Sequence, residues 1–311
     1  MKSGRAHVTQ DKQPTGGETG LTSPSGMTEA TKPAQHERAS KGFSPVKSAD
    51  RVMAVMEALG GRQNRPTMTQ LSAELGIPQS SLHGLLRTMQ QRGWVETDAT
   101  GSLYRIGVRA LMIGSSYARA DEAVLAARPV LDWLSEETGE TVHYGRLLGS
   151  DIVYLAKRES RFQVRVHSSV GQRIPAHAAS LGKAILATET DEWVVEHLHC
   201  PLWALTKHTI TDRAALLQDL AVSRDRGYAC ESQESDIGLG CVAVSVPGPA
   251  AVCDAISFAV PVGRLEEGRL TELADLLLEA RAMLTGRRAP APPGRSPEFL
   301  DNLNRLEGEG A

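Results

Sequence analysis

No stretch of this 311-residue chain is long and apolar enough to span a bilayer, and residues 1–43 contain no apolar run of signal-peptide length. Together these absences point to a protein of the cytoplasm. Cysteine is scarce. Cys200, Cys230, Cys241 and Cys253 form no C-x-x-C pair and show no Cys–His spacing of a zinc site, so they read as free thiols in a reducing compartment. Nothing calls for a metal or an organic cofactor. A G-x-S-x-G nucleophile elbow is also missing, which removes one common hydrolase arrangement. Aromatics are few, at 4 %, but a hydrophobic content of 41 % can support real cores, and the length suits two ordinary domains. Residues 1–43 are rich in Gly, Ser, Thr, Pro and Gln without apolar period and read as a disordered extension; residues 287–311, opening with Arg287-Arg288 and a Pro-rich run, read as a flexible tail.

What is present begins with a helix-turn-helix. Leu71 and Leu75 lie one helical turn apart, and Gly76 stands where a helix ends and the backbone must reach positive φ. Ile77 can plug the turn, Ser72 is small enough for a close crossing, and Leu82, Leu85, Leu86 and Met89 resume the apolar period up to Gly93. The second helix thereby presents Gln79, Ser80, Ser81, His83 and Arg87 outward, as a recognition helix does to the major groove. Trp94–Thr97, a turn at Asp98–Gly101 and Leu103–Ile106 predict a hairpin, the wing, on which Arg105 is a further DNA-contact candidate. Upstream, Ser44-Pro45 opens a helix with Val46, Ala49, Val52, Met53, Met56 and Leu59 on one face. A generic α-hairpin would share the helix pair but not the wing. Between Pro45 and Arg109 eight basic residues face five acidic ones, in a chain of net charge −3, a local excess that suits phosphate contact. So few phosphate contacts require two or more modules on one duplex, hence at least a homodimer.

The remainder predicts an α+β domain with a largely antiparallel sheet, because helices and strands mix without βαβ alternation. Val108–Arg119 reads as a linker helix. Glu122–Thr138 follows, with Val124, Leu125, Val130, Leu131 and Leu134 inward and Gly139 closing it. Strands are expected at Thr141–Arg146, Asp151–Lys157, Gln163–Ser169, Leu239–Pro247 and Ala255–Val260. Helices are expected at Ser180–Thr188, Glu192–His199, Arg213–Arg226 and Leu265–Leu284. The expected divisions are 44–108 for DNA binding, 109–121 for the linker and 122–286 for the second domain.

Several ordered motifs carry a family resemblance. They are Leu71–Gly76 with Pro78–Ser81, Gly101-x-x-Tyr104-x-Ile106-Gly107, Thr138–Thr141, Pro175–Ala184, Glu234 with Gly238–Ala243, and Ala255–Ser257 before Pro261 and Arg264. From about Ser44 to Thr285 the chain resembles the IclR-type bacterial transcription regulators. The resemblance implies a GAF-like effector domain, a homodimer or dimer of dimers, and control by a small metabolite, with repression the expected sign. It also implies that Ser180 and Leu181 face the effector together with Glu231, Leu239, Cys241, Ser257 and Ala259. The chain departs from the family at Gly84, where an Arg or similar residue is usual, at Ala259, where a second hydroxyl is common, and at Leu181, where the residue is often smaller. Ser180–Lys183 opens a helix, whose free N–H groups suit an anion, so an organic acid is the expected effector. The apolar Leu181, Leu239 and Ala259 extend that expectation to an aromatic acid. Glu231 would repel an acid unless a basic partner or a ligand hydroxyl faced it.

Two catalytic readings compete. Gly238–Ala243 fits G-x-G-x-x-A, but the glycines precede a β-branched run instead of opening a helix. His177, Ser180 and Asp236 could be imagined as a triad in a small-molecule enzyme. At three residues apart, His177 and Ser180 serve equally well as local turn contacts, and the binding reading is preferred.

Overall fold

The computed structural model describes residues 44–286 apart from 61, 63, 165, 248–252 and 267. The expected N-terminal extension and C-terminal tail lie outside the described residues. The chain divides into an N-terminal unit, containing most of residues 44–106, and a larger C-terminal unit.

In the N-terminal unit, α1 (Lys47–Leu59), α2 (Met68–Leu75) and α3 (Gln79–Gln91) precede a two-stranded hairpin, β1 (Val95–Thr97) and β2 (Tyr104–Ile106). A capping box starts α2: the Thr67 hydroxyl accepts from the Gln70 N–H and the Gln70 side chain accepts from the Thr67 N–H, which satisfies two donors that the helix leaves free. Gly76 ends α2 at φ 63°. Ile77 is buried behind it, and the Ser72 hydroxyl donates 2.7 Å to the Ile77 carbonyl, pinning the turn. Leu82, Leu86 and Met89 form the buried face of α3. The expected inner face of α1 is corrected. Val55, Ala58 and Leu59 are buried, whereas Val46 and Met53 are exposed, because only the C-terminal half of α1 meets its neighbours. In the wing turn, Asp98 accepts from the Ser102 and Leu103 N–H groups at 2.9 Å and from the Thr100 hydroxyl at 2.6 Å. These donors pull its pKa down to about 2, the Thr100 bond most.

The C-terminal unit includes α4 (Val108–Ala120), a helix with no buried residue. Then come α5 (Glu122–Thr138), β3 (Thr141–Leu148), β4 (Asp151–Arg158), β5 (Arg173–Pro175), α6 (Ser180–Leu186), α7 (Asp191–His197), α8 (Arg213–Arg226), β6 (Ala229–Ser232), β7 (Leu239–Pro247), β8 (Cys253–Pro261) and α9 (Arg269–Leu284). The six strands form one antiparallel sheet in the order β5-β4-β3-β8-β7-β6. Strand alternation divides its faces. Val142 and Tyr144, Val242, Val244 and Val246, and Ile256, Phe258 and Val260 pack under α5 and α9. The alternate residues face α6, which lies on β7 and β8.

Four sequence expectations are corrected. The described residues of the expected strand Gln163–Ser169 are not in a strand: the Lys157 ammonium takes the Val166 and Ser168 carbonyls at 3.2 and 3.0 Å, and Val164 is exposed. β5 and β6 are strands that the pattern did not announce, being only three and four residues long. The last helix begins at Arg269, since a 3-10 turn at Val262–Arg264 and Gly268 at φ 83° interrupt the preceding run. Leu125, expected inward on α5, is exposed; Trp133 is buried instead.

The seating of α6 depends on Gly182. A Cβ there would lie 2.1 Å from the Ala176 carbonyl oxygen and 2.4 Å from the Ala176 Cα. Backbone cannot yield as a side-chain tip does, so Gly182→Ala is expected to destabilise the protein by at least about 1–3 kcal/mol. Urea unfolding of the full chain checks it; an unchanged midpoint would contradict the close approach.

Candidate functional site

One cavity, on the α6 face of the sheet, gathers all seven residues expected to face an effector. Ser180 and Leu181 come from the start of α6, Glu231 from β6, Leu239 and Cys241 from β7, and Ser257 and Ala259 from β8. Strand register explains the convergence. Thr141, Ala259, Cys241 and Glu231 are successive cross-strand partners on β3, β8, β7 and β6. His143, Ser257 and Ala243 form the adjacent row.

The cavity also takes in His143, Tyr154, Val166, Ala179 and Ser235, none of them expected from the sequence. Tyr154 arrives by a bulge. Tyr144 pairs with Ala156 but Gly145 pairs with Tyr154, so one β4 residue is unmatched and Tyr154 turns to the His143 face. The two rings stack with centroids 4.6 Å apart. Only Ser235 had a nearby signal, in its spacing from Glu231 across a tight turn; a bulge leaves none.

The wall mixes apolar and polar side chains and, among the described residues, includes no lysine or arginine. Burial, followed by the charge on Lys157, pushes the His143 pKa down to about 3, so the imidazole is neutral near pH 7 and its Nε2 pairs with the Ser168 hydroxyl at 2.7 Å. Glu231 accepts from the Glu234 N–H at 2.8 Å, the Ser235 hydroxyl at 2.8 Å and the Ser235 N–H at 3.4 Å. The Cys241 thiol also bonds Glu231, and burial nonetheless raises the Glu231 pKa more than these four bonds lower it. The Cys241 thiol is likewise held well up by burial and by the Glu231 charge, which makes it a poor nucleophile. The cavity measures about 30 Å³, room for about one or two waters.

Lys183, one turn into α6, does not line the cavity. It is fully buried and bridges Glu234 at 2.5 Å and Asp219 at 3.0 Å, joining α6, α8 and the turn after β6. The imagined triad does not assemble, because His177 Nε2 pairs with the Trp203 carbonyl at 2.9 Å. Gly238 and Gly240 lead into and begin a strand, as expected, not a helix.

In the N-terminal unit Gln79, Ser80, His83 and Arg87 are exposed on α3 and Ser81 is half-buried; Leu82, Leu86 and Met89 point the other way. Arg105 is half-exposed, but its guanidinium pairs with Glu96 across the wing at 2.5 Å, giving it an alternative to phosphate.

Comparison with known proteins agrees with both units. The model of the bacterial transcriptional regulator IclR C-terminal domain matches residues 116–284, and that of the IclR helix-turn-helix domain matches residues 48–99. The chain belongs to the IclR family. It is therefore a DNA-binding transcriptional regulator. It is 32 % identical over 247 residues to the transcriptional repressor IclR of Escherichia coli (strain K12), covering 77 % of this chain and 89 % of that one. To the acetate operon repressor of Salmonella typhimurium (strain LT2) it is 31 % identical, again over 77 % and 89 %. The crystal structure of an IclR transcriptional regulator from Alicyclobacillus acidocaldarius has the same fold, with a TM-score of 0.69 and 24 % identity over 79 % of this chain and 100 % of that one.

The Lys183 bridge generates a stability prediction. Lys183→Met would leave Glu234 and Asp219 without their cation, and breaking a buried pair costs about 3–5 kcal/mol. The double variant Lys183→Met/Glu234→Leu should recover part of the loss. Chemical denaturation of both proteins measures this; a neutral Lys183→Met would refute the role.

Proposed function

We propose that this IclR-family chain is a repressor in the cytoplasm that holds operator DNA through α3 and the wing and responds to a small organic acid in the sheet cavity. The observation that carries it is the convergence of Ser180, Leu181, Glu231, Leu239, Cys241, Ser257 and Ala259, from four separate elements, on one cavity. The two relatives named above are both repressors, which supports the sign. Binding, not catalysis, is the better reading: the cavity thiol is inert, and His177 is occupied by a backbone carbonyl. Residues 44–108, 109–121 and 122–286 serve as DNA-binding domain, linker and effector domain. An effector controls DNA only if it prefers one arrangement of the linked domains, and α4 is the covalent route between them. Operator release by an acid, followed with duplex from the protein's own upstream region, tests the whole reading.

Within it, Gln79 reads a base and Arg87 holds phosphate. Gln79→Ala should cost roughly 1–3 kcal/mol and relax choice at one base pair. Arg87→Ala should weaken all sequences alike. A panel of single-base operator variants separates the two; uniform loss for Gln79→Ala would remove its base-reading role.

Assembly is the second part of the proposal. On α4, Val108, Leu111, Met112, Ile113 and Tyr117 are all exposed, an apolar surface too large for a solvated helix. A second copy of the chain covers it in a homodimer, which sets two recognition helices on one pseudo-palindrome. Leu111→Glu should shift the protein toward monomer in light scattering and weaken operator binding. A stable wild-type monomer with tight specific binding would contradict the assembly.

A further inference from the structure

Granted that α3 is the recognition helix, as proposed above, one of its residues is left without a reason by the protein itself. Gly84 lies inside the 13-residue helix Gln79–Gln91. A glycine in a helix interior weakens it more than any residue except proline. Backbone geometry does not ask for one, because Gly84 is helical and is not among the glycines at positive φ. Packing does not ask for one either: a Cβ at Gly84 would meet no heavy atom within 4 Å. Gly182 is the contrast, since its Cβ would run into the Ala176 backbone. No contact among the described residues thus requires glycine at position 84.

The place of Gly84 on α3 points to the DNA side. With about 3.6 residues per turn, it falls nearly opposite to Leu82, Leu86 and Met89, the buried face of the helix. It shares the outer face with Ser80, one turn before it, and with Arg87 and Thr88, all of them exposed. The Thr88 hydroxyl turns back onto the Gly84 carbonyl at 2.9 Å. Ser80 and Ser81 have short side chains, and a serine hydroxyl meets a base edge only where the helix backbone itself comes close. The flank beside Ser81 is cationic. Lys47 and Arg51 of α1 border an open depression of about 440 Å³ together with Ser81 and Leu85, and neither pairs with an acid among the described residues. That flank suits the phosphates of a groove wall.

We propose that Gly84 is a specificity-determining residue: its missing side chain lets the α3 backbone approach the base edges closely enough for the Ser80 and Ser81 hydroxyls to read them. Glycine serves this purpose wherever a backbone must come close to a ligand. A side chain at this position would stand between α3 and the floor of the groove and lift both serines away from it.

The test compares Gly84→Ala and Gly84→Leu with the wild type, all as full-length protein. The operator is the duplex that the wild type enriches from a random-sequence pool, and a shuffled duplex of equal length measures non-specific binding. Alanine restores helix propensity and touches nothing in the protein, so the thermal midpoint of Gly84→Ala should rise or stay level. Its operator Kd should nonetheless rise by about 10-fold or more, the loss expected from one base contact, and that of Gly84→Leu further still. The Kd for the shuffled duplex should not change, because phosphate contacts set it. Undiminished operator binding by Gly84→Ala, or equal losses on both duplexes, would overturn the proposal and leave α3 as the recognition helix. A lowered midpoint for Gly84→Ala would mean that the fold itself requires the glycine, and would also overturn it. If the wild type enriches no duplex, the reading of α3 fails first and this inference with it.

Discussion

Pairing of β3, β8, β7 and β6 in a fixed antiparallel register is the constraint on which the effector unit depends. A one-residue slip of any of these strands would carry valines into the cavity and His143, Cys241 or Ser257 under α5 and α9. The register is held from the other face. Val242, Val244 and Val246 with Ile256, Phe258 and Val260 are buried under two helices, and the free energy of that burial fixes which residues point the opposite way. The cavity wall is thus the reverse side of a hydrophobic core, and its precision is that of the core. Arg146 adds a polar tie at one end of the sheet: it pairs with the buried Asp254 at the start of β8 and with Asp121 at the cap of α5, while the Tyr144 hydroxyl donates to Asp254.

Among the described residues, positive charge in this unit sits beside the cavity, whose wall includes Glu231. Lys183 sits on the helix that roofs the void, yet its ammonium is turned into the Glu234 and Asp219 pair. That pairing holds α6 against the turn after β6, the same turn whose Ser235 and Glu234 N–H groups orient Glu231. A cation is therefore used to build the wall while the wall presents an acceptor and free hydroxyls. The DNA-binding unit follows the opposite logic, leaving Gln79, Ser80, His83 and Arg87 in solvent, where contacts to bases and phosphates can form.

Much was legible in the chain. Helix ends at Gly76, Gly139 and Gly227 all lie at positive φ, because glycine alone adopts that backbone freely and so marks the stop in the sequence itself. Leu239–Pro247 and Arg213–Arg226 agree with their expected bounds. The site residues were reached through resemblance to a family, not through spacing, since Ser180, Glu231, Cys241 and Ser257 carry no common local pattern. The false strand at Gln163–Ser169 had the right residue types, but the Val166 and Ser168 carbonyls go to the Lys157 ammonium, a partner that a single segment cannot report.

The sequence by itself determined the local order: where helices begin and stop, which strand faces are apolar, and that a helix-turn-helix with a wing precedes an α+β domain. These follow from periodicity, capping and φ preference, all of which act within a few residues. Only the tertiary structure decided that Tyr154 joins His143 at the cavity and that Lys183 is spent on Glu234 and Asp219. Each of these depends on a bulge, a register or a long-range ion pair, and the energies that settle them arise between residues up to about a hundred positions apart, as with Arg146 and Asp254.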